Sequence, residues 1–202
     1  MSKKLTFRRF IALIIDLIIV AFIVGAFSSL KIINPTLDKY NESYDAYYNY
    51  IKEMAMSGSS DNALNDENAV NLAYDVSYYG RYSSIISLVV LFLYFGLFQY
   101  YTDGKTIGKL AMRIQVKSTD GELKFKNILI RSLIINSLLI KLLTIVCLFL
   151  MDKSLFNSFS LYIQLVDIGL LLASGIMIVY REDGVGLHDK LAHTIVTRIE
   201  KN

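Results

Sequence analysis

Four long apolar runs set the pattern of this chain of 202 residues. They cover residues 10–30, 83–101, 128–151 and 158–180, and each is close to the roughly 20 residues that a helix needs to cross a hydrocarbon layer of about 30 Å. A helix of a soluble bundle keeps a polar outer face, and the stretch "IISLVVLFLYFGLF" in the second run has none. The pattern therefore predicts an all-α membrane protein with four transmembrane helices in a single membrane domain.

Composition supports the membrane interpretation and excludes some kinds of site. Hydrophobic residues make up 54% of the chain and charged residues 19%, and the apolar residues cluster in the runs. The first run follows a basic start, as in a signal peptide, but it is longer than the usual apolar stretch and contains Asp16, so a retained helix is predicted. Cys147 is the single cysteine, which excludes a disulfide framework and a cysteine-based metal site. No metal and no cofactor is predicted.

The distribution of Lys and Arg predicts the orientation of the helices. Residues 1–9 carry four of them, 102–127 carry six and 181–202 carry four, whereas 31–82 carry four basic and eight acidic residues. Because loops rich in Lys and Arg stay in the cytoplasm, both termini are expected inside a cell membrane and residues 31–82 outside. The net charge of +3 then reflects orientation and not an affinity for nucleic acid. The frequent Asn, Lys, Ile and Tyr residues are typical of an AT-rich bacterial genome.

Helical spacing within residues 31–82 predicts an outer helical hairpin between transmembrane helices 1 and 2. Tyr40, Tyr44, Tyr47 and Tyr48 form one apolar face of an amphipathic helix. The stretch "SGSSDN" then interrupts the pattern, and a second helix is predicted after it. The hairpin would either cap the ends of the membrane helices or present a surface to a partner protein.

A small cytoplasmic β-hairpin is predicted over about residues 111–126. The stretch "MRIQVKSTDGELKF" alternates apolar and polar residues on both sides of Asp120 and Gly121, and Asp-Gly between alternating flanks is a strong hairpin signal. The stretch "TIVTRI" near the C-terminus alternates in the same way and could add a third strand.

Charged residues inside the runs are the best candidates for functional side chains, because a central charge costs about 2.5 to 3.5 kcal/mol on insertion scales. Lys141 and Asp167 lie at similar depths on the third and fourth predicted helices, on faces that carry other polar residues. They are predicted to pair. The pair would either hold two helices in register or act as a proton or cation relay.

Asp16 lies nearer the cytoplasmic end of the first predicted helix. A bond to Arg9 within that helix is not expected, because helical side chains lean toward the N-terminus and Arg9 therefore leans away. Arg131, near the start of the third run, is predicted as the partner of Asp16. Arg9 is then left to meet an acid from the cytoplasmic loops.

The motifs of soluble enzymes do not fit this chain. The stretch "GKTIGKL" has too short a glycine spacing for a phosphate-binding loop, and Leu110 stands where such a loop needs Ser or Thr. His188 and His193 lack the spacing of a zinc site of the HExxH type. Two histidines close together at one end of the chain also offer no argument for a Ser-His-Asp arrangement. No enzymatic activity is predicted.

Three motifs resemble the RDD family of integral membrane proteins, named for one arginine and two aspartates. They are "RRFIALIID", "TIGKLAMRIQV" and "GVGLHDKLAHTIV", in the same order, and the resemblance covers about three quarters of the chain. It implies that Arg9, Asp16 and Asp189 are the signature residues, and it implies ion movement, which has been proposed for some members of a family without a settled function. The long acidic, Tyr-rich segment and the charges of Lys141 and Asp167 depart from the family pattern.

Two functional hypotheses follow from the sequence. In the first, the protein is a small transporter that exchanges a monovalent cation for protons, with Asp16 as the exchangeable carboxylate and Lys141 and Asp167 as a deeper relay. Four helices are few for an alternating-access pathway, so transport would favour a homo-oligomer. In the second, the protein transports nothing and assembles with or recruits a partner in the lipid bilayer, and its buried charges serve assembly. The substrate and its direction do not follow from the sequence.

Overall fold

The computed structural model describes residues 3–58 and 66–199, and most of them are helical. Its elements in chain order are α1 (Lys3–Ser28), α2 (Leu37–Met56), α3 (Glu67–Tyr79), α4 (Arg81–Leu91), a π-helix (Phe92–Phe98), α5 (Gln99–Tyr101), α6 (Ile107–Ala111), β1 (Ile114–Ser118), α7 (Phe125–Ile135), α8 (Leu138–Leu150), α9 (Lys153–Tyr180), α10 (Leu187–Leu191) and β2 (Thr194–Arg198).

Three helical segments in the described part of the chain are long and apolar enough to cross a membrane, over Leu5–Ser28, Arg81–Tyr101 and Lys153–Tyr180. The predicted third span is wrong as one continuous helix, because α7 and α8 are bent by 66° at a short break. Ser137 at this break has a φ of 54°, in the left-handed region that no α-helix continues through. Hydropathy does not detect the break, since both flanks are apolar. The chain has four spans if the bent pair crosses as one, and the predicted orientation stays a prediction.

The described residues form two compact units. The first comprises residues 1–23, 88–140 and 165–202, and the second comprises residues 24–87 and 141–164. The first unit contains both strands and the polar clusters described below. The second contains α2 and α3.

The core of the first unit is built around the two strands. They are antiparallel, and Val116 of β1 lies opposite Val196 of β2. Alternate residues of both strands are buried, as the period of two in their sequences predicts. The buried apolar cluster consists of Ala12, Ile114, Val116, Ile128 and Val196.

The predicted β-hairpin over residues 111–126 is wrong, because β1 pairs with the C-terminal strand β2. Gly121 does adopt a turn conformation, with a φ of 106°, but the chain after it enters α7 instead of a second strand. Leu123 packs against the core on the way. The stretch "TIVTRI" is therefore the partner of β1 and not a third strand.

The second unit confirms two helices within the predicted helical hairpin. Asp66 caps the N-terminus of α3 by accepting a hydrogen bond from the Ala69 amide at 2.8 Å, and it accepts another from the Tyr50 hydroxyl at 2.9 Å. These hydrogen bonds, led by that of Ala69, lower the pKa of Asp66. The predicted break at "SGSSDN" falls partly within residues 59–65, which lie outside the described residues. The location of this pair outside the membrane stays a prediction.

Candidate functional site

Asp16 of α1 is 1% exposed and lies in a site made of uncharged donors. The Tyr94 hydroxyl donates to its Oδ1 at 2.6 Å, and the Gly108 amide donates to the same oxygen at 2.7 Å. The Thr106 hydroxyl donates to Oδ2 at 2.6 Å. In the described part of the chain, every hydrogen bond that reaches this carboxylate comes from an uncharged group. The predicted partnership of Asp16 with Arg131 is therefore wrong.

Two local features of the chain place these donors. Tyr94 lies in the π-helix, where the wider turn changes the direction of the side chains relative to an α-helix, and such turns often occur at functional sites. Thr106 is the N-cap of α6, so the first turn of α6 also presents the Gly108 amide to Asp16. The motif "TIGKL" thus forms one wall of the Asp16 site.

Gly108 has no room for a side chain at this wall. A Cβ added there would lie 2.8 Å from the Asp16 carboxyl and would also clash with the backbone oxygen of Ala12. We expect Gly108→Ala to displace the carboxylate from its donors and to lower the melting temperature of the purified protein. Gly169→Ala in α9 is the matched control, because a Cβ at that position meets no atom within 4 Å, and Ala is a better helix former than Gly. Equal melting temperatures for the two variants would contradict close packing of Gly108 against Asp16.

The Lys109 side chain contacts the Asp16 site indirectly, through the Thr106 hydroxyl oxygen. Its ammonium lies 3.3 Å from the Gln99 Oε1 and 3.3 Å from the Thr106 Oγ1, and it lies 5.8 Å from the centroid of the Phe95 ring. The Thr106 hydroxyl donates to Asp16, so it links the ammonium to the carboxylate without a direct ion pair. This position of Lys109 was not predictable from the sequence, in which it is one of six basic residues between the second and third apolar runs.

The environment of Lys109 favours its neutral form. Its pKa is lowered from the ordinary value of 10.5 to about 7, chiefly by loss of hydration and also by the positive charges of Arg131 and Arg9, while the Asp16 carboxylate partly opposes this shift. Lys109 is therefore easier to deprotonate near neutral pH than an exposed lysine, which would stay charged.

A second cluster surrounds Asp189 of α10, whose side chain is 0% exposed. Arg9 of α1 forms an ion pair with its Oδ2, and Arg131 of α7 forms one with its Oδ1. The Gly186 amide donates to Oδ2 at 3.3 Å and the Thr194 hydroxyl donates to Oδ1 at 3.3 Å. Arg9 does meet an acid from outside α1, as expected, but this acid lies in helix α10 and not in a loop, and Arg131 meets the same acid.

His188 lies next to this cluster and contacts Ser174 of α9. The Ser174 hydroxyl is hydrogen-bonded to the ring Nδ1, and Nε2 lies 3.4 Å from the Asp189 Oδ2. The chain does bring a Ser, a His and an Asp together, which the sequence analysis did not foresee. Nε2 nevertheless has no hydrogen-bond partner among the described residues, and burial lowers the pKa of His188, with Arg131 as the second cause. The ring is therefore neutral, and its geometry lacks the His–Asp hydrogen bond of a catalytic triad.

A cavity of about 380 Å³ in the first unit touches both clusters. Its lining includes the ionisable side chains of Arg9, Asp16, Lys109, Arg131 and His188. Most of the remaining wall is aliphatic or aromatic and includes Leu13, Phe95, Ile135, Leu171 and Ile178. The volume lies in the range of known small-molecule sites.

A comparison with known protein families identifies the family of this chain. The model of the RDD family matches residues 5–193. The chain belongs to the RDD family. No curated protein and no solved structure matches it. In this RDD-family chain two of the expected signature residues, Arg9 and Asp189, form one ion pair, whereas the third, Asp16, occupies the other cluster.

Lys141 and Asp167, the other predicted charges, lie outside both clusters. Lys141 belongs to the second unit and Asp167 to the first, and their pairing stays a prediction. Oδ1 of Asp167 is buried and has no hydrogen-bond partner among the described residues.

Proposed function

We propose that this RDD-family membrane protein exchanges a monovalent cation for a proton at the site of Asp16 and Lys109. The observation that carries the proposal is a buried carboxylate to which only neutral groups of the described residues donate, linked through Thr106 to a lysine whose pKa is lowered to about 7. When the lysine is neutral, no charged group among the described residues contacts this carboxylate, because both nearby guanidinium groups pair with Asp189. The carboxylate then attracts either a proton or a cation from water.

The contacts of Lys109 indicate where a cation would bind. The ammonium occupies the space beside the Gln99 and Thr106 oxygens. When it loses its proton, these oxygens lose a charged donor, and they are ligands of the kind that dehydrated monovalent cations bind. The lysine ammonium and the cation therefore compete for the same oxygens.

The charge of the two clusters supports strict exchange. Arg9 and Arg131 together with Asp189 carry one positive charge, and the Asp16 carboxylate balances it. One further positive charge is present when Lys109 is protonated or when a cation is bound. Holding both would add a second uncompensated charge in a medium of low dielectric constant, which is costly. Loading a cation should thus release the lysine proton.

The test uses purified protein in sealed vesicles with a pH-sensitive dye inside. We expect sodium, potassium or lithium to drive proton movement, and we expect the rate to rise with pH through about 7. The sign follows from the lowered pKa of Lys109, because below that value the lysine keeps its proton and excludes the cation. A rate that is zero for all three cations would refute exchange and leave the hypothesis of a non-transporting assembly protein.

Lys109→Arg separates the proposed exchange from a purely structural role of this residue. Arginine keeps the positive charge but does not release its proton in this pH range, so we expect cation-driven proton movement to fall by roughly tenfold or more. Lys105→Arg in the same loop is the matched control and should exchange like the wild type. Lys109→Gln should retain a folded protein in which a cation no longer displaces a proton. Exchange at the wild-type rate in Lys109→Arg would overturn the assignment.

A further inference from the structure

His188 lines the cavity and carries a polar atom without a hydrogen-bond partner in the described part of the chain. The side chain is 2% exposed and lines the cavity wall, yet its Nε2 has no hydrogen-bond partner among the described residues. The Asp189 carboxylate lies 3.4 Å from Nε2, which favours the tautomer with the proton on this nitrogen. A buried donor without an acceptor is costly, so a ligand that accepts a hydrogen bond would stabilise it.

Positive groups outnumber acids along the same cavity. Arg9, Lys109 and Arg131 line it, and Asp16 is the acid among the lining residues. Asp189 neutralises one of the two guanidinium groups. With Lys109 protonated, the site therefore carries a surplus of one positive charge, and a ligand with a single negative charge would complement it.

The rest of the cavity suits an apolar chain. Its wall includes Leu13, Ile135 and Leu171. Phe10 of α1 and Val179 of α9 also line it and are 58% and 67% exposed, and both belong to helices that can span a membrane. The cavity thus opens on an apolar surface where the acyl chains of a bilayer would lie. A volume of about 380 Å³ is in the lower part of the range for one small ligand, which favours a single chain over a two-chain lipid.

We infer that the cavity binds a single-chain carboxylate amphiphile, a fatty acid in its anionic form, with its carboxylate between His188 and Lys109 and its chain along the apolar wall. The binding does not depend on the proposed exchange. If exchange occurs, the bound carboxylate favours the charged form of Lys109 and keeps the cation out. A fatty acid from the membrane would then inhibit the exchange.

Binding of radiolabelled oleate to the purified full-length protein in a neutral detergent tests the inference. We expect saturable binding at one site, with competition by unlabelled oleate, roughly tenfold weaker competition by oleyl alcohol, which lacks the charge, and none by butyrate, which lacks the chain. Lys109→Gln removes the cationic partner and should weaken binding roughly tenfold, the effect of one charged contact. Competition by oleyl alcohol as strong as by oleate would refute the role of the carboxylate.

Filling the cavity gives an independent test that leaves the polar groups unchanged. Leu171→Trp on the cavity wall should weaken oleate binding by roughly tenfold or more, because the indole ring takes the space of the chain. Leu172→Trp is the matched control, since Leu172 is the next residue of α9 and is exposed, and it should bind like the wild type. Elution as a single peak in gel filtration establishes that each variant is folded. Wild-type binding in Leu171→Trp, or no saturable binding in the wild type, would overturn the inference.

A protein that binds oleate but moves no protons would retain this inference and lose the proposed exchange.

Discussion

Asp189→Asn is expected to lower the free energy of unfolding by about 3 to 5 kcal/mol, because it leaves buried guanidinium groups without their counter-charge. Arg9 and Arg131 both form ion pairs with this carboxylate, and an asparagine offers them one uncharged oxygen. Because the two arginines come from α1 and α7, which are far apart in sequence, the substitution should loosen both helices at once. Unfolding in detergent micelles, followed by circular dichroism, measures the loss.

An exposed ion pair supplies the control for Asp189→Asn. The Nζ of Lys31 lies 2.8 Å from the Oδ2 of Asp38, and both side chains are largely exposed. Such exposed pairs contribute at most about 1 kcal/mol to the free energy of unfolding. Asp38→Asn should therefore leave the unfolding transition nearly unchanged. Adding Arg131→Met to Asp189→Asn removes one of the two guanidinium groups that have lost their counter-charge, and it should restore part of the stability. A double variant no more stable than Asp189→Asn alone would argue against the pairing of Arg131 with Asp189.

Asp16→Asn is expected to fold normally and to lose cation-driven proton movement. The amide can occupy the carboxylate position, because its oxygen accepts from the Tyr94 hydroxyl and the Gly108 amide while its nitrogen donates to the Thr106 hydroxyl, which turns to accept. The negative charge is lost, however, so neither a cation nor the Lys109 ammonium is attracted to the site. Since the Asp16 charge raises the pKa of Lys109, its removal should lower that pKa further below 7. Vesicle assays measure the loss of exchange.

Two further variants make the Asp16 result interpretable. Asp16→Leu removes the acceptor from three buried donors, each of which would cost about 1 to 3 kcal/mol if left unsatisfied, so it should fail to fold. Asp120→Asn removes an exposed acid and should exchange like the wild type. Wild-type exchange in Asp16→Asn would exclude the carboxylate as part of the exchange site. Misfolding of Asp16→Asn would instead identify Asp16 as a structural anchor of α6.

Some features of the site were predictable because they depend on local sequence. The position of Asp16 inside an apolar run marked it as a residue that needs partners, since an isolated charge in lipid is unfavourable. The lean of helical side chains correctly excluded a bond between Asp16 and Arg9. Alternation with a period of two predicted the strands near Val116 and Val196, because a half-buried strand exposes every second residue.

The same patterns did not predict which charged residues and which strands contact each other. Arg131 is near the start of the third apolar run and was expected to reach Asp16, but in the structure it lies in the middle of α7, and Asp189 of α10 pairs with both arginines. Alternation does not specify which strand a strand will pair with. Asp120 and Gly121 therefore predicted a local hairpin, whereas β1 pairs with β2, which is distant in sequence. The partners of Asp16 include a backbone amide, which every residue except proline possesses and which no motif distinguishes.

The sequence by itself determined that this is a helical membrane protein of the RDD family, and it singled out Arg9, Asp16 and Asp189 as the expected signature residues. Hydropathy and short motifs depend only on residues that are neighbours in sequence, so they can be recognised without knowledge of the fold. Only the tertiary structure decided that Asp189 serves as the acid for two arginines, that Asp16 accepts from neutral donors, and that Lys109 lies beside the Asp16 site. Those outcomes depend on which helices meet and on how much water each group loses, and burial and electrostatic partners are set by residues that lie far apart along the chain.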